Sequence, residues 1–241
     1  MLELCLKPIA SRSKYAQVQL RLCQCEKGHS GHCDEFPFLR GFKVSHPLVA
    51  KKIERDATMT TGASWKSQDA GPNRILRWVM LLSDEELLGF SIDMKKLKPQ
   101  VVAKLREKAA SYKDCIEVSK KLTWLAYQML DAPQPSAEIA AYLEAQFGAT
   151  ILGSTTCIVC RQPLSFNLFS EARKGRAEIE TGHMNPRSHK AHNVGFVHRE
   201  CNIAQGQRTL QEFYSWIKEI LERAESNPIA RNPDVQNPEV D

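Results

Sequence analysis

The feature that most constrains this chain is a pair of short cysteine and histidine spacings in its last third. Two residues separate Cys157 from Cys160, and two residues separate His198 from Cys201. A zinc ion takes four nitrogen or sulfur ligands in a tetrahedron, and two such pairs supply all four. Because no coordination position is then left for a substrate, the spacing predicts a structural zinc site rather than a catalytic one.

The segment between and just after these pairs carries polar and turn-forming residues in a distinctive order. They are His183, Pro186, Asn193, Asn202 and Gly206. Together with the zinc pairs, this order resembles the HNH endonucleases of the ββα-metal superfamily, over about the last third of the chain without its tail. The resemblance implies a zinc-stapled β-hairpin and helix that hydrolyse phosphodiester bonds to leave a 5′-phosphate and a 3′-hydroxyl.

The resemblance also implies a role for three of these side chains. His183 would be the general base, Asn193 would hold the loop that aims it, and Asn202 would bind a catalytic divalent metal. That metal would be Mg²⁺ or Mn²⁺, in addition to the structural zinc. An imidazole suits proton abstraction because it titrates near neutral pH.

The sequence departs from the family at the residue before the general base, where an acidic or histidine metal ligand is usual. That position is Gly182. Glu180, two residues earlier on the same strand face, is the best substitute and Glu178 the next; alternatively both lie on a solvated face. In a regular strand Glu180 and His183 point to opposite faces, so a shared site requires the strand to end or bulge at Gly182.

Local patterning supports the hairpin and the helix independently of the family. Alternation that ends at a glycine predicts a strand over Ala177–His183, and a short apolar run predicts another over Val194–Val197. A helix is predicted over Arg199–Arg208. Since successive helix residues point about 100° apart, Cys201 can face the zinc while Asn202 faces the hairpin.

A second group of cysteines and histidines lies between residues 23 and 33. Cys23, Cys25, His32 and Cys33 are the candidate ligands of a second zinc ion that would staple a small recognition subdomain. The alternative is a polar turn that holds no metal. Leu2–Leu6 and Tyr15–Leu22 are candidate strands beside this group.

The middle of the chain has helical periodicity. Ser83 and Glu86 form a predicted capping box, Pro99 opens a helix, and Ser136 caps another that stops at Gly148. The predicted fold is therefore α+β, with a mostly helical middle and a C-terminal ββα-metal module. Four parts are expected: a mixed N-terminal recognition region (1–72), a helical region (73–149), the nuclease module with its C-terminal helix (150–224) and a flexible acidic tail (225–241).

Charge favours a polyanionic partner. The net charge is +5, and acidic residues concentrate after Glu212, so the rest of the chain is more basic than the total suggests. Basic residues of the module are predicted to contact DNA phosphates. They are Arg173, Lys174, Arg176, Arg187, Lys190 and Arg208.

Other classes are disfavoured. No apolar run approaches the roughly 18 residues that span a bilayer, and the N-terminus lacks the pattern of a signal peptide. Six of the eight cysteines belong to the two groups of candidate metal ligands, which fits a reducing cytoplasm better than a disulfide framework.

The sequence thus predicts a metal-dependent endonuclease of the restriction or defence type that acts on double-stranded DNA, either as a monomer or as a homodimer. The rival hypothesis is a non-catalytic zinc-knuckle protein that binds nucleic acid and derives from such a nuclease. A third hypothesis keeps the chemistry and replaces the substrate with structured RNA.

Overall fold

The computed structural model describes residues 3–9, 21–60, 75–90, 93–173 and 176–226. Within these ranges the chain is α+β and mostly helical. The helices are α1 (Arg40–Ser45), α2 (Pro47–Thr58), α3 (Asp84–Gly89), α4 (Pro99–Glu107), α5 (Tyr112–Tyr127), α6 (Ala137–Phe147), α7 (Arg199–Gln205) and α8 (Leu210–Ser226). The strands are β1 (Ala172–Arg173), β2 (Arg176–Ala177), β3 (Ile179–His183) and β4 (Val194–His198), paired antiparallel as β1–β2 and β3–β4.

Helix α5 is the element around which the core is built. The hydroxyl of Ser111 caps its start by accepting a hydrogen bond from the backbone N–H of Asp114. Val118, Leu122 and Ala126 lie on one helical stripe and are completely buried. Because α5 packs against α2, α6 and β4, one helix joins the N-terminal helices to the C-terminal hairpin.

The main hydrophobic cluster extends along the chain from Phe36 to Phe213 and includes side chains of α1, α2, α5, α6, β3, β4 and α8. A smaller cluster joins α3 and α4 through residues such as Met80, Leu87 and Leu105. The same packed core therefore supports the first helices and the hairpin, which fixes their relative position.

Several predicted helix ends are confirmed. Ser83 and Glu86 form both bonds of a capping box at the start of α3, and Pro99 is the first residue of α4. The hydroxyl of Ser136 accepts a hydrogen bond from the N–H of Ile139 at the start of α6. Local capping chemistry was sufficient to locate these ends.

Boundaries near the hairpin differ from the prediction. The strand predicted from Ala177 begins at Ile179, because residues 176–177 pair with 172–173 in a separate two-stranded sheet. The helix predicted to reach Arg208 ends at Gln205, because Gly206 has a φ of 60° and stops it. Helix α8 continues through Ser226, so the predicted tail begins later than residue 225, and its remainder lies outside the described residues.

The N-terminal segment forms a sparse ladder instead of a regular sheet. Leu4 pairs with Glu26 and Pro8 with Leu22 as isolated bridges. Most of the predicted strand over Tyr15–Leu22 lies outside the described residues. Among the helices described above, none has the combination of length and apolarity that would let it cross a membrane.

Candidate active site and metal clusters

Strands β3 and β4 form a regular hairpin that α7 follows directly. Ile179 pairs with His198 at one end and His183 with Val194 at the other, with no residue skipped. Gly182 and Gly195 face each other across the hairpin and are covered by Ile158, which lies between the two cysteines of the first spacing. A Cβ on Gly182 would lie 2.6 Å from Cγ1 of Val197, so packing leaves no room for a ligand side chain there.

The four residues of the two predicted zinc pairs converge. The ligand atoms of Cys157, Cys160, His198 and Cys201 all lie within 4.8 Å of one another, and the Cys160 sulfur is 3.4 Å from Nδ1 of His198. With zinc–sulfur bonds of about 2.3 Å, sulfurs around a tetrahedral zinc are about 3.8 Å apart, so the set fits one ion. We name this set the C-terminal cluster.

Thiol acidity in the C-terminal cluster fits a cation that needs thiolates. Burial raises the pKa of Cys157, but backbone N–H groups of Cys160, His198 and Val159 donate to its sulfur and hold the pKa below its ordinary value. Burial and the neighbouring sulfur of Cys157 raise the pKa of Cys201 to about 12. The protein therefore stabilises the thiolate of Cys157 and disfavours a second thiolate at Cys201. A bound divalent cation would stabilise both thiolates and offset the repulsion between them.

Glu180 and Asn202 lie in contact. Nδ2 of Asn202 donates to Oε2 of Glu180 at 2.5 Å, and Arg199 approaches the other carboxylate oxygen at 3.7 Å. Rotating the Asn202 amide by 180° would present its oxygen beside the carboxylate, and the two amide orientations differ mainly in hydrogen bonding. Carboxylate and amide oxygens are ligands that Mg²⁺ and Mn²⁺ accept, so this pair fits a divalent cation.

Asn193 ties together the loop that follows His183. Its side-chain oxygen accepts a hydrogen bond from the N–H of Asn185, and its side-chain nitrogen donates to the carbonyls of Asn185 and Ser188. Its backbone carbonyl accepts from the N–H of Met184. A buried side-chain amide that hydrogen-bonds to several backbone groups of a loop strongly restricts the conformation of that loop.

His183 is held by a second histidine. Its Nε2 lies 2.9 Å from Nδ1 of His189, and Nε2 of His189 lies 2.7 Å from the carbonyl oxygen of Ala57. A carbonyl only accepts, so His189 donates from Nε2 and, when neutral, accepts at Nδ1. His183 then donates from Nε2, which leaves its Nδ1 with a free lone pair.

Burial keeps both rings neutral. Desolvation, reinforced by Arg77 and Lys108, lowers the pKa of His183 to about 3. Desolvation, reinforced by Arg77 and the His183 ring, lowers the pKa of His189 to about 2. The hydrogen-bond chain from His183 through His189 to the Ala57 carbonyl requires neutral rings, because Nδ1 of His189 must accept a hydrogen bond.

A buried acid lies on the same side of the hairpin as His183. Asp56 accepts a hydrogen bond from the Thr181 hydroxyl at 3.1 Å and pairs with Lys52 and Arg55. Burial raises its pKa, but the two cations outweigh burial and lower it. Helix α2 therefore supplies both Asp56 and the Ala57 carbonyl to the face of β3 that carries His183.

A site shared by Glu180 and His183 required β3 to end or bulge at Gly182, and the described pairing does neither, because it continues in regular register to His183. The regular register directs Glu180 and His183 to opposite faces of β3. Gln205 of α7 nevertheless donates to the His183 carbonyl at 2.9 Å, while Asn202 of the same helix reaches Glu180. Helix α7 thus runs alongside β3 and touches both positions.

The predicted phosphate-contacting residues have different environments. Lys190 is exposed, Arg187 pairs with Glu107 at 3.3 Å, and the guanidinium of Arg208 lies 4.3 Å from the Trp216 ring centre. The backbones of Arg173 and Arg176 form the β1–β2 pair. Lys174 lies outside the described residues.

The second predicted metal set, Cys23, Cys25, His32 and Cys33, shares two of its four members with the set that converges in the structure. The ligand atoms that converge belong to Cys5, Cys23, His29 and Cys33, all within 4.8 Å of one another. Cys25 instead accepts a hydrogen bond from Arg40, and His32 is exposed. Cys5 was missed because it is distant in sequence, whereas His29 lies within the predicted group between residues 23 and 33 but was not among its four candidate ligands. We name the observed set the N-terminal cluster.

Sequence analysis also missed the residues that contact His183 or its strand. His189 lies in the loop after β3 and belongs to no predicted motif, yet it is buried against His183 and Ala57. Asp56 and Gln205 carried no motif. The spacing of apolar residues at three and four positions in α2 could indicate a helix, but only tertiary packing shows what its side chains contact.

Comparison with known proteins places this geometry in a class. The fold is similar to a solved structure described as the crystal structure of a type II restriction endonuclease, with 45% identity, 94% of this chain and 100% of that chain covered, and a TM-score of 0.81. No curated protein matches. The class that the fold defines is thus that of restriction endonucleases. The sequence also matches DraIII over residues 35–201, and the chain belongs to the DraIII family.

Proposed function

We propose that this protein is a metal-dependent endonuclease of the HNH type that cuts double-stranded DNA as a restriction enzyme. Its membership of the DraIII family and its likeness to a type II restriction endonuclease support a DNA-cleaving activity. The hairpin β3–β4, helix α7 and the C-terminal cluster support the HNH type. Phosphodiester hydrolysis of this kind would leave a 5′-phosphate and a 3′-hydroxyl.

The observation that carries the proposal is the hydrogen-bond chain from Ala57 through His189 to His183. It leaves Nδ1 of His183 as an unprotonated acceptor at the end of β3. A general base needs a free lone pair in a fixed direction, and the chain supplies both. In this proposal Nδ1 takes a proton from the attacking water.

The low pKa of His183 bears on this role. A base with a pKa near 3 is unprotonated at neutral pH but takes up a proton weakly. A bound phosphodiester brings a negative charge close to the ring, and a nearby negative charge raises an imidazole pKa. The approach of the substrate would therefore strengthen the base at the step that needs it.

Glu180 and Asn202 are the proposed ligands of the catalytic Mg²⁺ or Mn²⁺. Their contact brings a carboxylate and an amide together on β3 and α7. Because Glu180 and His183 leave β3 on opposite faces, the proposal requires the scissile phosphate to lie at the end of the strand, within reach of both. When bound, such a cation stabilises negative charge on the phosphate and on the leaving oxygen. Asn193 would keep the loop after His183 in place, and Glu178 remains a weaker candidate ligand.

The C-terminal cluster is the proposed structural zinc site of the module. Cys157, Cys160, His198 and Cys201 provide a closed set of four ligands, which leaves no position for substrate. The zinc would join the turn before the hairpin to the start of α7. It thereby fixes the helix that presents Asn202 and Gln205 to β3.

The basic residues of the module are the proposed phosphate contacts. Lys190 is exposed and available, whereas Arg187 would have to exchange Glu107 for a phosphate. Residues 1–72 and 73–149 would supply sequence recognition, residues 150–224 cleavage, and residues from 225 a tail. A homodimer would present two such sites and could cut both strands in one encounter, whereas a monomer would have to cut them one after the other.

A plasmid-cleavage assay with Mg²⁺ or Mn²⁺ tests the proposal. The wild type should cut, while His183→Ala should lose about 10²–10⁴-fold in rate, the usual contribution of a general base. Glu180→Gln and Asn202→Ala should lose cleavage and keep DNA binding. His192→Ala is the matched control, since His192 is an exposed histidine in the same loop region.

The outcomes separate the rival hypotheses. If the wild type shifts DNA in a gel and cuts nothing with either metal, the protein is a non-catalytic zinc-knuckle binder. If equal masses of structured RNA compete better than duplex DNA and are cut, the substrate is RNA. Sequencing the cut ends would report the site, the stagger and the end chemistry, and a 3′-phosphate product would exclude the proposed hydrolysis.

A further inference from the structure

The N-terminal ladder, residues 3–9 and 21–33, has no hydrophobic core of its own. Among the residues that the structure describes, every member of both hydrophobic clusters lies at or after Phe36. The ladder is held by backbone hydrogen bonds, such as those from Cys5 to Cys25 and from Leu6 to Cys23. A segment that buries so little apolar surface needs another cross-link to stay folded.

Four ligand atoms meet at the centre of this ladder. The sulfurs of Cys5, Cys23 and Cys33 and a ring nitrogen of His29 all lie within 4.8 Å of one another. Nε2 of His29 is 3.4 Å from the Cys23 sulfur and 3.9 Å from the Cys33 sulfur. These separations fit a tetrahedron around one ion as well as those of the C-terminal cluster do.

The donor set selects the ion. Three thiolates and one imidazole are soft and borderline ligands, which favour zinc over Mg²⁺ or Ca²⁺. All of the cysteines are free thiols, so the site is not a disulfide. A disulfide would also leave one of the three sulfurs and the His29 ring without a function.

The two nearest alternatives are engaged elsewhere. The Cys25 sulfur accepts a hydrogen bond from Nη2 of Arg40 at 3.4 Å and lies 3.8 Å from the carbonyl of Asp34. His32 is exposed to solvent. Neither side chain can replace Cys5 or His29 without moving away from its present position.

The ladder is also attached to the helical body at defined points. The Tyr112 hydroxyl at the start of α5 binds both the N–H and the carbonyl of Leu22. Asp34, just after the cluster, pairs with Arg40 and Lys43 of α1. Anything that fixes the ladder internally therefore also fixes its position on α1 and α5.

We propose that Cys5, Cys23, His29 and Cys33 bind a second structural zinc ion, which holds the N-terminal ladder in one conformation on α1 and α5. This site is independent of the nuclease proposal because it shares no residue with β3, β4 or α7. Its loss would change metal content and local protection, whether or not the protein cuts DNA.

Zinc content measured by elemental analysis of the full chain tests this assignment. The wild type should contain two zinc ions per chain. Cys5→Ser, Cys33→Ser and His29→Asn should each contain one. Cys25→Ser and His32→Asn are matched controls from the same segment and should retain two, while Cys160→Ser should lose only the C-terminal ion.

A wild-type measurement covers the case in which a variant fails to fold. Alkylation of the native protein, mapped by mass spectrometry with and without a zinc chelator, should show Cys5, Cys23 and Cys33 becoming reactive together. Cys115 is completely buried in the helical body and should stay protected. The assignment is overturned if Cys5→Ser and Cys33→Ser retain the zinc content of the wild type, or if Cys25→Ser loses an ion that Cys5→Ser retains.

Discussion

The two Cys/His clusters have the same ligands and opposite surroundings. Around the C-terminal cluster, Cys157 is part of the main hydrophobic core, and Ile158 packs onto the glycine pair of the hairpin. Around the N-terminal cluster, the ladder contributes no residue to either hydrophobic cluster within the described chain. A metal site can thus reinforce packing that already exists, or it can substitute for packing that the sequence does not provide.

The largest expected effect comes from removing one ligand from each cluster. Cys157→Ser should lower the free energy of unfolding by about 4 kcal/mol or more, because it removes a metal ligand and leaves a hydroxyl in the core. Cys33→Ser should lower the main unfolding transition by less than about 2 kcal/mol, because the ladder can open locally while the core stays folded. Urea denaturation followed by tryptophan fluorescence measures both.

Limited proteolysis completes that comparison. Cys33→Ser should be cut within residues 3–33 at urea concentrations where the remainder stays intact, whereas Cys157→Ser should be cut throughout. Equal losses of stability in the two variants would mean that the ladder unfolds together with the core, and that the contrast between the two sites is only one of position.

A second effect concerns the junction between the ladder and the helical body. Burial raises the pKa of Glu35 to about 7, although Arg21 lies 3.1 Å away, and one of its carboxylate oxygens has no hydrogen-bond partner. A folded-state pKa above the ordinary 4.5 means that the folded protein binds this proton more tightly than the unfolded chain. The stabilisation is complete below about pH 4.5 and is lost as pH rises towards 7.

Glu35→Gln should remove this pH dependence. Relative to that variant, the wild type should lose about 3 kcal/mol of stability between pH 4 and pH 8, since one pKa unit corresponds to about 1.4 kcal/mol. Urea midpoints of the two proteins across this range give the difference directly. Parallel curves would show that Arg21 keeps the carboxylate charged and that burial at the junction costs little.

The contrast between the clusters also explains what the sequence could predict. Two pairs with short spacing predicted which four side chains converge in the C-terminal cluster, because each pair lies within one turn of the chain. In the N-terminal cluster, Cys5 reaches Cys23 only through the backbone ladder, and spacing alone selected Cys25 in its place. Ligands that a fold brings together from distant segments leave no local pattern.

The same limit applies to the candidate active site. Turn chemistry and alternation predicted the hairpin, and the family order indicated His183 and Asn202. His189 and Asp56 could not be predicted, because their roles depend on α2 packing against β3, more than a hundred residues away along the chain. Periodicity predicts that α2 buries a face, but it does not identify which strand that face meets.

The smallest expected effect tests why position 182 is a glycine. Gly182→Ala should cost about 1–3 kcal/mol, because its new Cβ would lie 2.6 Å from Cγ1 of Val197 and 3.4 Å from Cδ1 of Ile158. Gly89→Ala is the control: no heavy atom lies within 4 Å of its Cβ, and alanine favours a helix by up to about 1 kcal/mol. Adding Val197→Ala to Gly182→Ala should cost less than the sum of the single changes, a coupling that denaturation of the four proteins in the cycle measures. Strict additivity would mean that Val197 does not exclude a side chain there, and that the packing of the hairpin does not explain the missing ligand.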